Sequence, residues 1–165
     1  HRDLHSFPTR RSSDLTASAL VATNGLLGAE EGDSAVAEIT ITAHPSELRF
    51  DTVKFIVKAG QKVKLTLVNP DDSINLQPHN LLIVEPGKLE EVGMAANAEL
   101  ADPTFLSERH AVPASNYVLY HTKLLFPGES ETLEFVAPTV ADDYPLLCTY
   151  PGHWSVMNGV MTVEN

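Results

Sequence analysis

One cysteine, Cys148, is all that the 165-residue chain contains. A lone thiol excludes an internal disulfide, a four-thiolate zinc site and a C-x-x-C redox pair. Basic residues are also scarce, with 11 Lys and Arg against 22 Asp and Glu and a formal charge of −11. That balance argues against a nucleic-acid partner, because binding a phosphate backbone needs a basic surface. No apolar run approaches the roughly 18 residues of a membrane span, so none is expected. Internal repeats and low-complexity tracts are missing as well. What the chain does have is 43% hydrophobic residues, enough at this length for one globular domain with a buried core.

The beginning of the chain reads differently from the rest. Residues 1–15, HRDLHSFPTRRSSDL, show no hydrophobic periodicity and match in order the translation of a short-read sequencing adapter. This stretch is expected to be foreign to the fold, with the natural N-terminus missing. Removing its three Arg and two Asp leaves the remainder at −12. Residues 16–34 follow as a linker or as the remnant of a truncated secretory signal, because the stretch from Ala17 to Leu27 is apolar. Its Gly, Asn and Ala content disfavours a packed helix.

From Ala35 onward the pattern is short strands and turns, giving a domain over residues 35–165. Strands are expected at Ala37–Ala43, Thr52–Lys58 and Lys62–Val68, where apolar and polar residues alternate. The run Asn80–Glu85 is continuously apolar at its centre, as a strand buried on both faces would be, and Pro86-Gly87 ends it. Residues 88–116 break the rhythm. Leu89 to Leu106 is rich in Ala, Glu and Leu without a β-branched run, which predicts one or two short helices. Strands resume at Tyr117–Phe126, Ser130–Val136, Asp143–Thr149 and Gly159–Val163. Seven or eight short strands at this spacing predict an all-β sandwich with one helical excursion.

The last two strands enclose Cys148-Thr-Tyr-Pro-Gly-His153-Trp-Ser-Val-Met157. A thiolate, an imidazole and a thioether thus fall on one Pro- and Gly-containing loop. A blue-copper site needs a Cys thiolate, two imidazoles and a weak axial thioether. Sulfur suits Cu(I), imidazole suits Cu(II), and a geometry between the two preferences keeps reorganisation small. The second imidazole must come from elsewhere, and His79, at the start of the buried strand, is the candidate. A lone Cys in a strand is more often a small buried hydrophobe, but the spacing of His and Met around it favours a ligand. Met161 reads as core, and His44, His110 and His121 read as surface residues.

These residues resemble the cupredoxins, and among them the azurin and auracyanin type, over residues 35–165. The Cys-x4-His-x3-Met loop is azurin-like, and Cys148-Thr-Tyr-Pro-Gly-His153 differs from azurins mainly in having Tyr150 where they carry Phe. His79-Asn80, the helical excursion and His121-Thr-Lys-Leu124 are similar too. The resemblance implies a Greek-key β-sandwich that holds one type 1 copper through His79, Cys148, His153 and Met157. It implies that Asn80 and Thr149 tie the two ligand loops together by hydrogen bonds. It also implies that electrons pass through an exposed edge of His153. Pro151, Gly152, Trp154 and Met94 would surround that edge as an apolar patch for a redox protein such as a c-type cytochrome or a dehydrogenase. Three departures stand out. Pro78 occupies the place of a Gly whose carbonyl azurins offer to the metal, the azurin disulfide is impossible, and Trp154 replaces a smaller residue.

The functions to weigh are therefore a copper electron carrier, a copper storage or delivery domain, and the C-terminal electron acceptor of a larger redox enzyme. A Cys148 nucleophile with His153 as base leaves Met157 and His79 unexplained, so no enzyme activity is expected. The family works outside the cytoplasm, which implies a periplasmic or otherwise extracytoplasmic location.

Overall fold

Alternation of apolar and polar side chains builds most of the strands in the structure, a computed structural model that describes residues 35–74 and 76–165. The expected foreign stretch at 1–15 and the expected linker or signal remnant at 16–34 lie outside the described residues. Eight strands occur among the described residues: β1 (Ala37–Thr42), β2 (Lys54–Lys58), β3 (Lys62–Val68), β4 (Leu82–Val84), β5 (Val118–His121), β6 (Ser130–Val136), β7 (Asp142–Leu147) and β8 (Asn158–Glu164). Two helices, α1 (Leu89–Ala98) and α2 (Thr104–Ser107), stand between β4 and β5. The strands form two sheets, in the orders β1-β3-β6 and β2-β8-β7-β4-β5. This is the β-sandwich with a helical excursion that the sequence predicts.

In the three-stranded sheet, β3 turns Val63, Leu65 and Leu67 into the core and Lys62 and Lys64 to solvent. It pairs in parallel with β1 and antiparallel with β6. The outward face is held by cross-strand polar pairs, Thr66 with Thr132 at 2.8 Å and Lys64 with Glu134 at 3.3 Å. In the five-stranded sheet, β2 runs parallel to β8 and the other pairings are antiparallel. Between the sheets, Ile41, Leu65, Leu67, Ile83, Leu146 and Met161 belong to one buried cluster.

The β4 and β7 part of the five-stranded sheet is also covered on its outer side, whereas β2 at the edge leaves Lys54, Ile56 and Lys58 exposed. Leu81 and Ile83 face the central core, whereas Leu82 and Val84 join Leu147 and Val92 of α1 in a second cluster. Two covered faces explain why this run is apolar at every position. Fully burying one such Leu contributes about 1.5–3 kcal/mol. Helix α1 buries Val92, Gly93 and Ala96, and Glu90 and Glu91 in its first turn complement the helix dipole. Arg109 ties the excursion to itself by donating to Glu99, to Asp102 and to the Val112 carbonyl.

One expected strand is shorter than its hydrophobic pattern suggests. Tyr117–Phe126 yields only the four residues of β5, because Thr122 enters the ladder with its side chain. The Leu81 N–H donates to the Thr122 hydroxyl at 3.0 Å, and that hydroxyl donates to the Lys123 carbonyl at 2.8 Å. Pairing then resumes as one isolated bridge between Leu125 and His79.

Candidate metal centre

Two chain segments carry the candidate ligands to one end of the sandwich. His79 is fixed by its bridge, in which its N–H donates to the Leu125 carbonyl at 2.9 Å and its carbonyl accepts from Leu125 at 2.8 Å. Cys148 directly follows β7. The chain then reverses at Tyr150-Pro-Gly-His153, where the His153 N–H donates to the Tyr150 carbonyl at 3.0 Å. Gly152 takes a positive φ of 81°, so this is the turn that wants Pro second and Gly third. A further turn brings the N–H groups of Val156 and Met157 back to the His153 carbonyl at 3.0 and 2.7 Å. The loop closes where the Cys148 N–H donates to the Met157 carbonyl at 3.0 Å.

These turns gather His79, Cys148 and His153, whose donor atoms all lie within 4.8 Å of one another. Among the described residues no other trio of His, Cys, Asp or Glu converges in this way. The Cys148 Sγ stands 3.9 Å from Nδ1 of His79 and 3.6 Å from Nδ1 of His153. A metal bonded at about 2.3 Å to sulfur and about 2.05 Å to nitrogen, at tetrahedral to trigonal angles, separates the donors by about 3.6–3.8 Å. The residues present therefore fit a soft or borderline metal such as copper. Exposure is 3% for His79, 0% for Cys148, 3% for His153 and 0% for Met157.

Burial also sets the protonation of the donors. It pushes the Cys148 thiol up to about 11, while the backbone N–H groups of Asn80 and Tyr150 pull the other way by favouring the thiolate. His79 falls to about 4 through burial and, secondarily, the charge of His153. Burial lowers His153 as well. Both imidazoles are thus neutral near pH 7 with lone pairs to offer, and a metal bound there would displace the thiol proton to solvent.

A polar harness joins the two ligand segments, as the resemblance implies for Asn80 and Thr149. The Thr149 N–H donates to Oδ1 of Asn80 at 2.8 Å, and Nδ2 of Asn80 donates to Oγ1 of Thr149 at 2.9 Å. The same Nδ2 reaches the His110 carbonyl at 2.9 Å, and the Thr149 hydroxyl donates to the Ala111 carbonyl at 2.7 Å. His110 and Ala111 are consecutive non-glycine residues with φ of 55° and 61°. Such left-handed residues cost about 1–3 kcal/mol each and persist where the surroundings over-determine them. No composition or periodicity signal marks this corner, and the sequence reading misses it.

Two expectations need correction. The expected exposed edge of His153 is almost closed, with 3% of the residue accessible. The ring of Tyr150 lies 4.9 Å from its imidazole centroid, and His79 lies 5.1 Å away on another side. Trp154, expected in the exposed patch, is half-buried against Val92, Leu147 and their neighbours. Met94 is exposed as expected, at 56%, and Val156 of the loop is exposed as well, at 58%.

A two-sheet β-sandwich with His, Cys and His converging at one end defines a copper-binding protein of the blue-copper class. The family model of copper binding proteins, plastocyanin/azurin family, matches residues 37–164, and the chain belongs to that family. It is similar to auracyanin-A of Chloroflexus aurantiacus, at 32% identity over 133 residues, covering 76% of this chain and 74% of the relative. The azurin of Bordetella pertussis is 30% identical over 92 residues, which is 53% of this chain and 56% of that azurin. Among solved structures, the dithionite-reduced auracyanin of Roseiflexus castenholzii superposes with a TM-score of 0.63 at 33% identity, covering 78% of this chain and 98% of that one.

Proposed function

We propose that the domain is a one-electron carrier whose His79, Cys148 and His153 would hold a single type 1 copper, with Met157 adding a weak thioether. The observation that carries the reading is the convergence of one thiol and two neutral imidazoles at 3.6 and 3.9 Å in a site almost closed to water. Copper bound there supplies a Cu(I)/Cu(II) couple. The protein keeps the donors where both oxidation states accept them. Asn80 and Thr149 lock the two ligand segments together. The N–H groups of Asn80 and Tyr150 stabilise negative charge on the sulfur. Met157 is fully buried in the same cluster as Cys148, and its carbonyl accepts from the Cys148 N–H.

Relatives in this family are electron-transfer proteins rather than enzymes, which supports a redox protein as the partner. The azurin and auracyanin relatives support an extracytoplasmic setting. The exposure of Met94 on α1 and of Val156 on the ligand loop supports an apolar docking patch for such a partner.

The test is the visible spectrum on adding Cu(II). An intense thiolate-to-copper band is expected in the parent protein and is lost in Cys148→Ser. Met157→Leu keeps the band and shifts the reduction potential. A colourless complex overturns the reading and favours storage or delivery of copper.

A further inference from the structure

Every backbone-to-backbone hydrogen bond described for residues 150–157 stays within the loop or at its base with Cys148. No backbone-to-backbone bond among these ties the apex that carries His153 to a residue outside the loop and Cys148. Its outward support comes from side chains, and one of them fits a place that nothing else in the fold explains. The indole of Trp154, the residue after His153, lies over Gly93 in the second turn of α1. A Cβ at position 93 would meet the indole atoms Cδ2, Cε3 and Cε2 at 2.2, 2.5 and 2.7 Å. These atoms surround the ring fusion, so the indole rests on the helix backbone itself. Glycine inside a helix is disfavoured relative to alanine, so its presence here calls for a packing reason.

The indole packs against the buried cluster of Leu82, Val84, Val92 and Leu147, the last of which immediately precedes Cys148. The Trp154 carbonyl accepts from Nδ2 of Asn158 at 3.1 Å, which returns the loop to β8. The geometry points to Trp154 as a positioning residue. Seated on Gly93, it fixes the ligand loop against α1 and so holds His153 at its distance from Cys148. The helical excursion is then the far wall of the metal site. This inference rests on the copper reading above, and its test is built to separate the two.

The variants are Gly93→Ala, which changes no loop residue, Trp154→Ala, Trp154→Phe and the Gly93→Ala/Trp154→Ala pair. In the metal-free protein, the emission of the sole tryptophan shifts to the red in Gly93→Ala as the indole is expelled. In the Cu(II)-loaded protein, release of copper to EDTA is about tenfold faster or more in Gly93→Ala and in Trp154→Ala. Trp154→Phe, which keeps a flat ring over Gly93, stays close to the parent rate. In the Trp154→Ala background the extra methyl at position 93 has nothing to displace and adds no further acceleration.

Unchanged copper release in a Gly93→Ala protein whose emission has shifted would overturn the inference. So would equal acceleration by Gly93→Ala with and without the indole. A purely structural role predicts a lower urea midpoint for the metal-free protein with no change in copper release. Should Gly93→Ala fail to fold, Trp154→Ala and Trp154→Phe decide, because equal release rates in the two sink the idea. If the parent protein lacks the visible band, the copper reading fails, while the emission shift still judges the seat.

Discussion

The two sheets of the sandwich solve different problems. The three-stranded sheet of β1, β3 and β6 buries one face and leaves the other to water, so its sequence alternates and its outer contacts are exposed polar pairs. The five-stranded sheet carries Cys148 directly after β7 and His79 just before β4, and helix α1 covers the outer side of both strands. Packing on two sides leaves a strand little freedom to tilt or slide. The candidate ligands hang from the two doubly covered strands, which is where 3.6 and 3.9 Å separations can be kept. The lesson is that the excursion contributes precision as well as stability.

Truncating one residue of each kind puts that contrast under strain. Leu82→Ala, in the cluster beneath α1, is expected to cost about 2–5 kcal/mol in a urea titration of the metal-free protein. A cost below about 1 kcal/mol would mean that the outer layer is loosely packed. Asn80→Ala removes the amide that bonds Thr149 and the His110 carbonyl, and leaves the buried Thr149 N–H without a partner. The expected loss is about 1–3 kcal/mol, accompanied by about 10–100-fold weaker copper binding in a competition titration. Lys64→Ala breaks the exposed pair with Glu134 on the open sheet and is expected to change stability by less than about 1 kcal/mol. Its effect should fade further in high salt, and its copper spectrum should match that of the parent.

Where one face of a strand meets water, the sequence was easy to read. β3 at Lys62–Val68 and β6 at Ser130–Val136 have the expected limits, because alternation and flanking turns define both ends. The same logic failed at Tyr117–Phe126, where a hydroxyl from Thr122 replaces backbone in the ladder. Periodicity carries no trace of such a substitution. The metal site was legible because donors of the right softness crowd one loop and His79 opens an apolar strand. Its supports were less so. The contact between Gly93 and Trp154 joins residues far apart in the chain, and only the odd glycine in a helical segment hinted at it. The closure of His153 depends on how neighbouring rings settle around it, which no linear pattern encodes.

The corner at His110 and Ala111 has a consequence for how the protein tolerates substitution. Two left-handed residues in succession would relax if released, and the groups that hold their carbonyls are Asn80 and Thr149, the same groups that couple the ligand segments. Holding the corner and coupling the ligand segments therefore fall to the same two side chains. A substitution at either of them would thus reach a strained stretch of backbone and the candidate ligands at once.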